Sequence, residues 1–144
     1  MDLRKLEKQL IKYFKDMNIS ADSRQVEENG VKHCEVVSAV TINDLDGEQV
    51  QIRCLAYENG TSQVTFNFGE ANFDAELFEM FDRFNVGNFS LKACSEYGEI
   101  RLYNQCFLQS PDDFILNFNM TLTMFLKDET LELIKPMLGH IKRG

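Results

Sequence analysis

The chain has 144 residues, of which 44% are hydrophobic, and a formal net charge of −8. This length predicts a single domain over residues 1–144, which can bury roughly two thirds of the surface that the unfolded chain exposes. Because phosphate contact needs clustered Lys and Arg, the acidic balance argues against a nucleic-acid partner. The longest uncharged apolar run, Phe114 to Leu126, is shorter than the about 20 residues that cross a bilayer, so no membrane span is expected.

Residues Asp2 to Met17 predict an amphipathic helix with lysines opposite its apolar stripe. The stripe consists of Leu3, Leu6, Leu10, Phe14 and Met17. The lysine side could touch an anionic surface, but a solvated face is the preferred interpretation. The segment lacks the apolar core of a secretory signal, and the four cysteines show no metal-ligand spacing. They are interpreted as small core residues in a protein of the reducing cytoplasm.

Three turn signals organise the next segment: Asn29-Gly30, Asp46-Gly47 and Asn59-Gly60. Residues 19–28 predict at best a short edge strand. Residues 31–42 are rich in β-branched side chains, and apolar and polar residues alternate after the second and third turns, so a meander of three strands follows.

A second helix is predicted to begin at Asn72, whose side chain can cap it. Its apolar stripe recurs at spacings of three and four and consists of Phe73, Leu77, Met80, Phe81 and Phe84. Phe78 lies at the flank of that stripe, beside the charged face. We therefore expect Phe78 to contact a dimer or protein partner rather than its own core.

A hairpin is expected after Gly87, where the apolar period changes to two. Phe89, Leu91 and Ala93 alternate with polar residues in its first strand, and the turn at Tyr97-Gly98 leads into its second strand. Ser110-Pro111 then predicts the capped start of the last helix.

The last helix is predicted to carry apolar residues on two sides. One side consists of Phe114, Ile115, Phe118, Leu122 and Phe125, and the other of Leu116, Met120, Met124 and Leu131. An apolar stripe left in water marks an interface, so the second set is predicted to contact a dimer or partner. The alternative is that other parts of this chain cover both sides. Pro136 should end or kink this helix.

The element order is α-β-β-β(-β)-α-β-β-α, which predicts an α+β fold with a mostly antiparallel sheet and helices on one face. No nucleophile, phosphate-loop or metal motif is present, and neither His33 nor His140 belongs to a catalytic set. Asp44, Asp46 and Glu48 lack the remaining ligands of a calcium loop. The sequence therefore predicts a protein that is not an enzyme and has no metal or cofactor.

The arrangement resembles the type III secretion chaperone-like fold and, within it, the YbjN family of bacterial sensory transduction regulators. The likeness is carried by Phe84-Asn85, the break at residues 86–88, the strand start Phe89-Ser90, the Tyr97-Gly98 turn and Ser110. The resemblance implies a homodimer that holds segments of partner proteins on its surface.

Our first functional hypothesis is a non-enzymatic protein-interaction module, chaperone-like or regulatory, that acts as a homodimer. A second is a small-molecule binder or hydrolase with a pocket between sheet and helices, lined by Tyr57, Tyr103 and carboxylates. A third is a structural component of a phage or a secretion system.

Overall fold

The computed structural model describes residues 1–88 and 90–143, which form four helices and six strands. The helices are α1 (Leu3–Asp16), α2 (Ala75–Gly87), α3 (Pro111–Phe125) and α4 (Asp128–Leu138). The strands are β1 (Ala21–Glu28), β2 (Val31–Ile42), β3 (Glu48–Tyr57), β4 (Thr61–Glu70), β5 (Lys92–Cys94) and β6 (Glu99–Phe107). The predicted α+β class is confirmed.

The six strands form one antiparallel sheet in the order β1-β2-β3-β4-β6-β5. Tight turns make β1 to β4 a meander, as expected from the three turn signals. β1 is the predicted edge strand, but it is eight residues long rather than short. The chain then leaves the sheet through α2 and returns with β5 at the far edge and β6 beside β4.

Strand register separates the sheet into an apolar face and a polar face. Val36, Cys54 and Val64 pair across β2, β3 and β4, and all three are buried. Because successive side chains alternate between the faces, their neighbours Glu35 and Arg53 point to the other side. Phenylalanines from the helices cover the apolar face, and the ring of Phe125 stacks on Phe66 with centroids 4.2 Å apart.

The Ser110 cap is confirmed, because its side chain accepts a hydrogen bond from the Asp113 backbone N–H at 3.1 Å. The predicted start of α2 is wrong by two residues. Asp74, not Asn72, caps this helix and accepts from Leu77 N–H at 2.9 Å. The backbone N–H of Asn72 instead donates to the His140 carbonyl at 2.8 Å, so a contact with the C-terminal segment keeps this residue outside the helix.

The expected last helix is two helices. Lys127 adopts extended backbone (φ −65°, ψ 143°) between α3 and α4, so the helical phase restarts at Asp128. Pro136 lies inside α4, and the helix ends shortly after it at Leu138. This break changes the predicted surface of α3, as described below.

Two asparagines join α2 to β5. The Asn85 side chain accepts from Ala93 N–H at 2.7 Å, and the Asn88 side chain accepts from Leu91 N–H at 2.8 Å. Phe89, which was expected at the start of this strand, lies outside the described residues, and β5 itself begins at Lys92.

Candidate functional site

Helix α3 presents an exposed apolar face. Leu116 is 59% exposed and Met120 is 60% exposed, although both lie in the middle of a 15-residue helix. Met124 continues this face one turn further and is half-buried. We call Leu116, Met120 and Met124 the α3 face. Side chains four residues apart are neighbours on a helix, so the three form one continuous strip.

The other two sides of α3 are covered within the chain. Phe114, Phe118 and Phe125 are buried against the sheet. On the side toward α1, the Tyr13 hydroxyl donates to the Asn119 side chain at 2.8 Å, and the Tyr13 ring lies 5.2 Å from Phe118. The α3 face, together with the exposed Asn119 and Thr123, is therefore the side on which this helix is open to a neighbour.

Leu131 does not belong to that surface. It was expected on the same stripe as Leu116 and Met120, but it is 2% exposed and lies in the hydrophobic core on α4. The break at Lys127 rotates Leu131 away from the α3 face. The assignment of Leu131 to an interface is wrong, and for this residue the chain itself supplies the cover.

Phe78 lies on α2 and is 48% exposed. Its ring packs beside Phe73 and Phe81, with centroids 5.8 and 6.1 Å away. The side chain is thus half-covered by its own helix and by the residue before the helix cap. It forms an aromatic cluster on α2, apart from the α3 face in sequence and in secondary structure.

Opposite charges flank the α3 face. Asp113 is exposed in the first turn of α3, and Lys127 is exposed just beyond its last turn. The two lie equally far along the chain from Met120, as do Leu116 and Met124. The strip is therefore symmetric in residue spacing about Met120, with a negative charge at one end and a positive charge at the other.

The polar face of the sheet carries a second group of side chains that sequence reasoning missed. Glu35 on β2 is largely buried and bonds to two arginines: Arg53 Nε at 2.8 Å and Arg24 Nε at 3.2 Å. Burial raises the pKa of the Glu35 carboxyl, but the hydrogen bonds and charges of Arg53 and Arg24 outweigh it and lower this pKa below its ordinary value. The carboxylate is therefore ionised and paired.

A second ion pair lies beside the turn that leads into β6. Arg101 Nη2 donates to Glu99 at 2.6 Å, and the Tyr97 ring lies 5.3 Å from the Arg101 guanidinium. In the described part of the chain, Arg101 Nε is buried without a hydrogen-bond partner. Burial raises the pKa of Glu99, whereas the Arg101 and Asn67 hydrogen bonds lower it, and the net pKa is below its ordinary value.

Members of both groups line one concavity of about 420 Å³ on the polar face. Its lining is Arg24, Glu35, Val37, Gln51, Arg53, Thr65, Asn67, Glu96, Tyr97 and Arg101. The residues come from five strands and one turn, so their proximity follows from strand register. The sequence signal that could have found them is the polar half of each alternating strand.

Tyr57 and Tyr103 do not lie between the sheet and the helices, where the predicted pocket would place them. Tyr57 and Tyr103 lie on the polar face, in the same alternation as Arg53 and Arg101. His33 lies 5.2 Å from Tyr57, and His140 lies 3.6 Å from Asp74. The two histidines are thus on different parts of the fold.

Among residues 1–88 and 90–143, no three His, Cys, Asp or Glu side chains are grouped so that they could bind a metal ion. Within the same residues, none of the helices combines the length and the apolar character that crossing a bilayer requires. Comparison of the chain with protein-family models, curated proteins and solved structures found no match.

Proposed function

We propose that this protein is a non-enzymatic interaction module, chaperone-like or regulatory, that acts as a homodimer and holds a segment of a partner protein. The observation that carries the proposal is the α3 face: Leu116 and Met120 are well exposed on a helix whose other two sides are packed. Methionine suits adaptable contacts because its side chain is flexible and polarisable.

The occupant that fits the α3 face best is a second copy of the same face. If two α3 helices cross antiparallel at Met120, Leu116 of each copy lies near Met124 of the other. Asp113 of each copy then lies near Lys127 of the other, which offsets part of the negative charge that the exposed Asp112, Asp128 and Glu129 bring to the same ends. The antiparallel arrangement also places each positive helix N-terminus beside a negative C-terminus. A two-fold pairing of this kind is the commonest symmetry of soluble oligomers.

The size of the α3 face predicts a weak dimer. Burying the remaining exposed part of Leu116 and Met120 in both copies is worth about 4–7 kcal/mol. Association costs roughly 4–15 kcal/mol in lost freedom of motion. The α3 face alone therefore supports a dissociation constant in the millimolar range or weaker.

Analytical ultracentrifugation from about 0.05 to 2 mM tests this pairing, a range chosen to reach a millimolar dissociation constant. The dimer fraction of the wild-type chain should rise with concentration across this range, and Met120→Glu should remain monomeric. Met17→Glu is the matched control, because Met17 is also a partly exposed methionine but lies on α1. A wild-type chain that is monomeric throughout, or a Met120→Glu variant that dimerises as well as Met17→Glu does, contradicts the proposal.

Disulfide trapping tests the antiparallel arrangement. Met120→Cys should form a crosslinked dimer under mild oxidation, because residue 120 of both copies lies at the two-fold axis. Leu116→Cys should crosslink poorly alone, and it should crosslink well when Met124→Cys is also present. The native thiols at the surface, Cys94 and Cys106, are first replaced by Ser. Efficient crosslinking by Leu116→Cys alone would mean that the helices pair parallel.

The reducing cytoplasm remains the proposed compartment. All four cysteines are free in the structure, and two of them are buried in the core. A partner segment bound by the dimer is the remaining part of the proposal. Co-purification from the native cell with the wild-type chain and with Met120→Glu would identify it, since a partner that requires the dimer is recovered only with the wild type.

A further inference from the structure

Three turns of this chain use the same backbone conformation with different residues. Asn29-Gly30 has φ of 53° and 79°, Asp46-Gly47 has 56° and 76°, and Tyr97-Gly98 has 56° and 72°. Asn and Asp adopt positive φ at low cost because their short side chains bond locally, whereas a bulky residue there is strained. The third turn thus places an aromatic residue where the other two have Asn or Asp.

Nothing in the packing compensates for this strain by burial, because the Tyr97 side chain is 81% exposed. The Arg101 guanidinium lies 5.3 Å from the centroid of the Tyr97 ring, and this contact offsets only part of the strain energy. Strained backbone with an exposed side chain concentrates at binding sites, where the side chain has a role outside the fold. Here the strain holds the ring at the border of the concavity on the polar face.

The charges in the concavity define what can bind beside that ring. Arg24 and Arg53 around Glu35 leave one net positive charge at one end of it, whereas Arg101 at the other end is paired with both Glu99 and Glu96. Arg53 bonds to Glu35 through Nε and Nη2, which leaves its Nη1 donors for a ligand. Gln51 and Asn67 add amide donors and acceptors. One anionic group is neutralised by the excess charge beside Arg53, whereas a second negative charge would be repelled by Glu35, Glu96 and Glu99.

The geometry points to a binding site for a small monoanionic carboxylate that carries a flat ring. The carboxylate pairs with Arg53, since guanidinium and carboxylate form strong charge-assisted hydrogen bonds. The ring of the ligand stacks against Tyr97, as aromatic pairs do. The concavity of about 420 Å³ is within the range of small-molecule sites. The site lies on the opposite face of the sheet from α3, so it is independent of the proposed dimer.

Titration of ¹⁵N-labelled protein with benzoate, followed by NMR, tests the site. Benzoate should produce saturable shifts at residues around the concavity and should bind about tenfold more tightly than neutral benzamide or dianionic phenyl phosphate, because the charged hydrogen bond is lost or opposed in those two. Arg53→Gln should weaken benzoate binding about tenfold for the same reason. Tyr97→Asn should weaken it about fivefold, and Tyr97→Phe, which keeps the ring, should bind as the wild type does.

Thermal unfolding separates loss of the ligand site from loss of the fold. Tyr97→Asn should raise the unfolding midpoint by about 2–4 °C because it relieves the strained turn. Asn29→Tyr, the reverse change in the equivalent turn, should lower the midpoint and leave benzoate binding intact. Met120→Glu should also bind benzoate normally, which distinguishes this site from the proposed dimer. The inference is overturned if benzoate does not saturate, if benzamide binds equally well, or if Arg53→Gln and Tyr97→Asn bind as the wild type does.

Discussion

The division between the buried and exposed leucines of the last two helices can be tested by one pair of substitutions. Leu131 is 2% exposed and Leu116 is 59% exposed, although both were expected on one stripe. Replacing a fully buried Leu by Ala removes its burial and leaves a cavity, which costs about 2–5 kcal/mol of the free energy of unfolding. Less than half of the Leu116 surface is buried, so Leu116→Ala should lower the free energy of unfolding by about 1 kcal/mol or less.

Urea denaturation measures the loss of unfolding free energy in both variants. The protein is kept at about 2 μM, a concentration at which a weak dimer is dissociated. Each 1 kcal/mol lowers the melting temperature by about 2–4 °C in a chain of this size, so Leu131→Ala should melt roughly 5–15 °C below the wild type. The melting temperature of Leu116→Ala should stay within a few degrees. Equal losses of stability in the two variants would refute the assignment of Leu131 to the core and of Leu116 to the surface.

Two further predictions follow from the titratable side chains. The pKa of Glu35 is lowered by Arg53, so its stabilising contribution is present above the ordinary pKa of about 4.5 and is lost as the pH falls through the lowered value. The urea concentration at the unfolding midpoint should therefore decrease when the pH is lowered below about 4.5. The decrease should be smaller for Glu35→Gln, and an equal decrease in both proteins would contradict this role of Glu35. Burial raises the pKa of Cys34 to about 12 and that of Cys54 well above its ordinary value, so neither thiol should react with DTNB at pH 8 until urea unfolds the chain. Rapid modification of all four native cysteines would contradict their burial.

The strands could be predicted because they obey simple local rules. β2 begins and ends at the predicted residues, Val31 and Ile42, since a run of β-branched side chains lies between two Asx-Gly turns. Helix α1 follows equally from its stripe, whose first four residues are buried. In these segments the alternation of apolar and polar residues and the turn chemistry specify the same structure.

The break between α3 and α4 could not be predicted by the same rules. No Gly or Pro marks it, and the apolar pattern continues through Leu126. The local signals are weak: extended backbone at Lys127, then Asp128 and Glu129 in the first turn of α4, where acidic residues are favoured. Tertiary packing of Leu131 into the core determines the phase of the second helix, and periodicity within one segment does not contain that information.

The concavity on the polar face was missed for a different reason. Its members are separated by long stretches of chain, from Arg24 to Arg101, and each alone is an ordinary polar residue of a strand. Only the pairing register brings Arg53 beside Glu35 and places Tyr97 at the border of the same surface. A site built from the solvent side of several strands has no local motif.

The residues that carry the family resemblance have structural roles that are independent of any ligand. Asn85 and Asn88 hold β5 against α2, Gly98 adopts the positive φ that its turn requires, and Ser110 caps α3. Because these roles belong to the fold, they carry no information on what the chain binds. Tyr97 and Met120 are different. The turn favours Asn or Asp at position 97, and a solvent-exposed position such as 120 favours a polar residue. Function in this protein is therefore best sought at the residues that its fold alone does not explain.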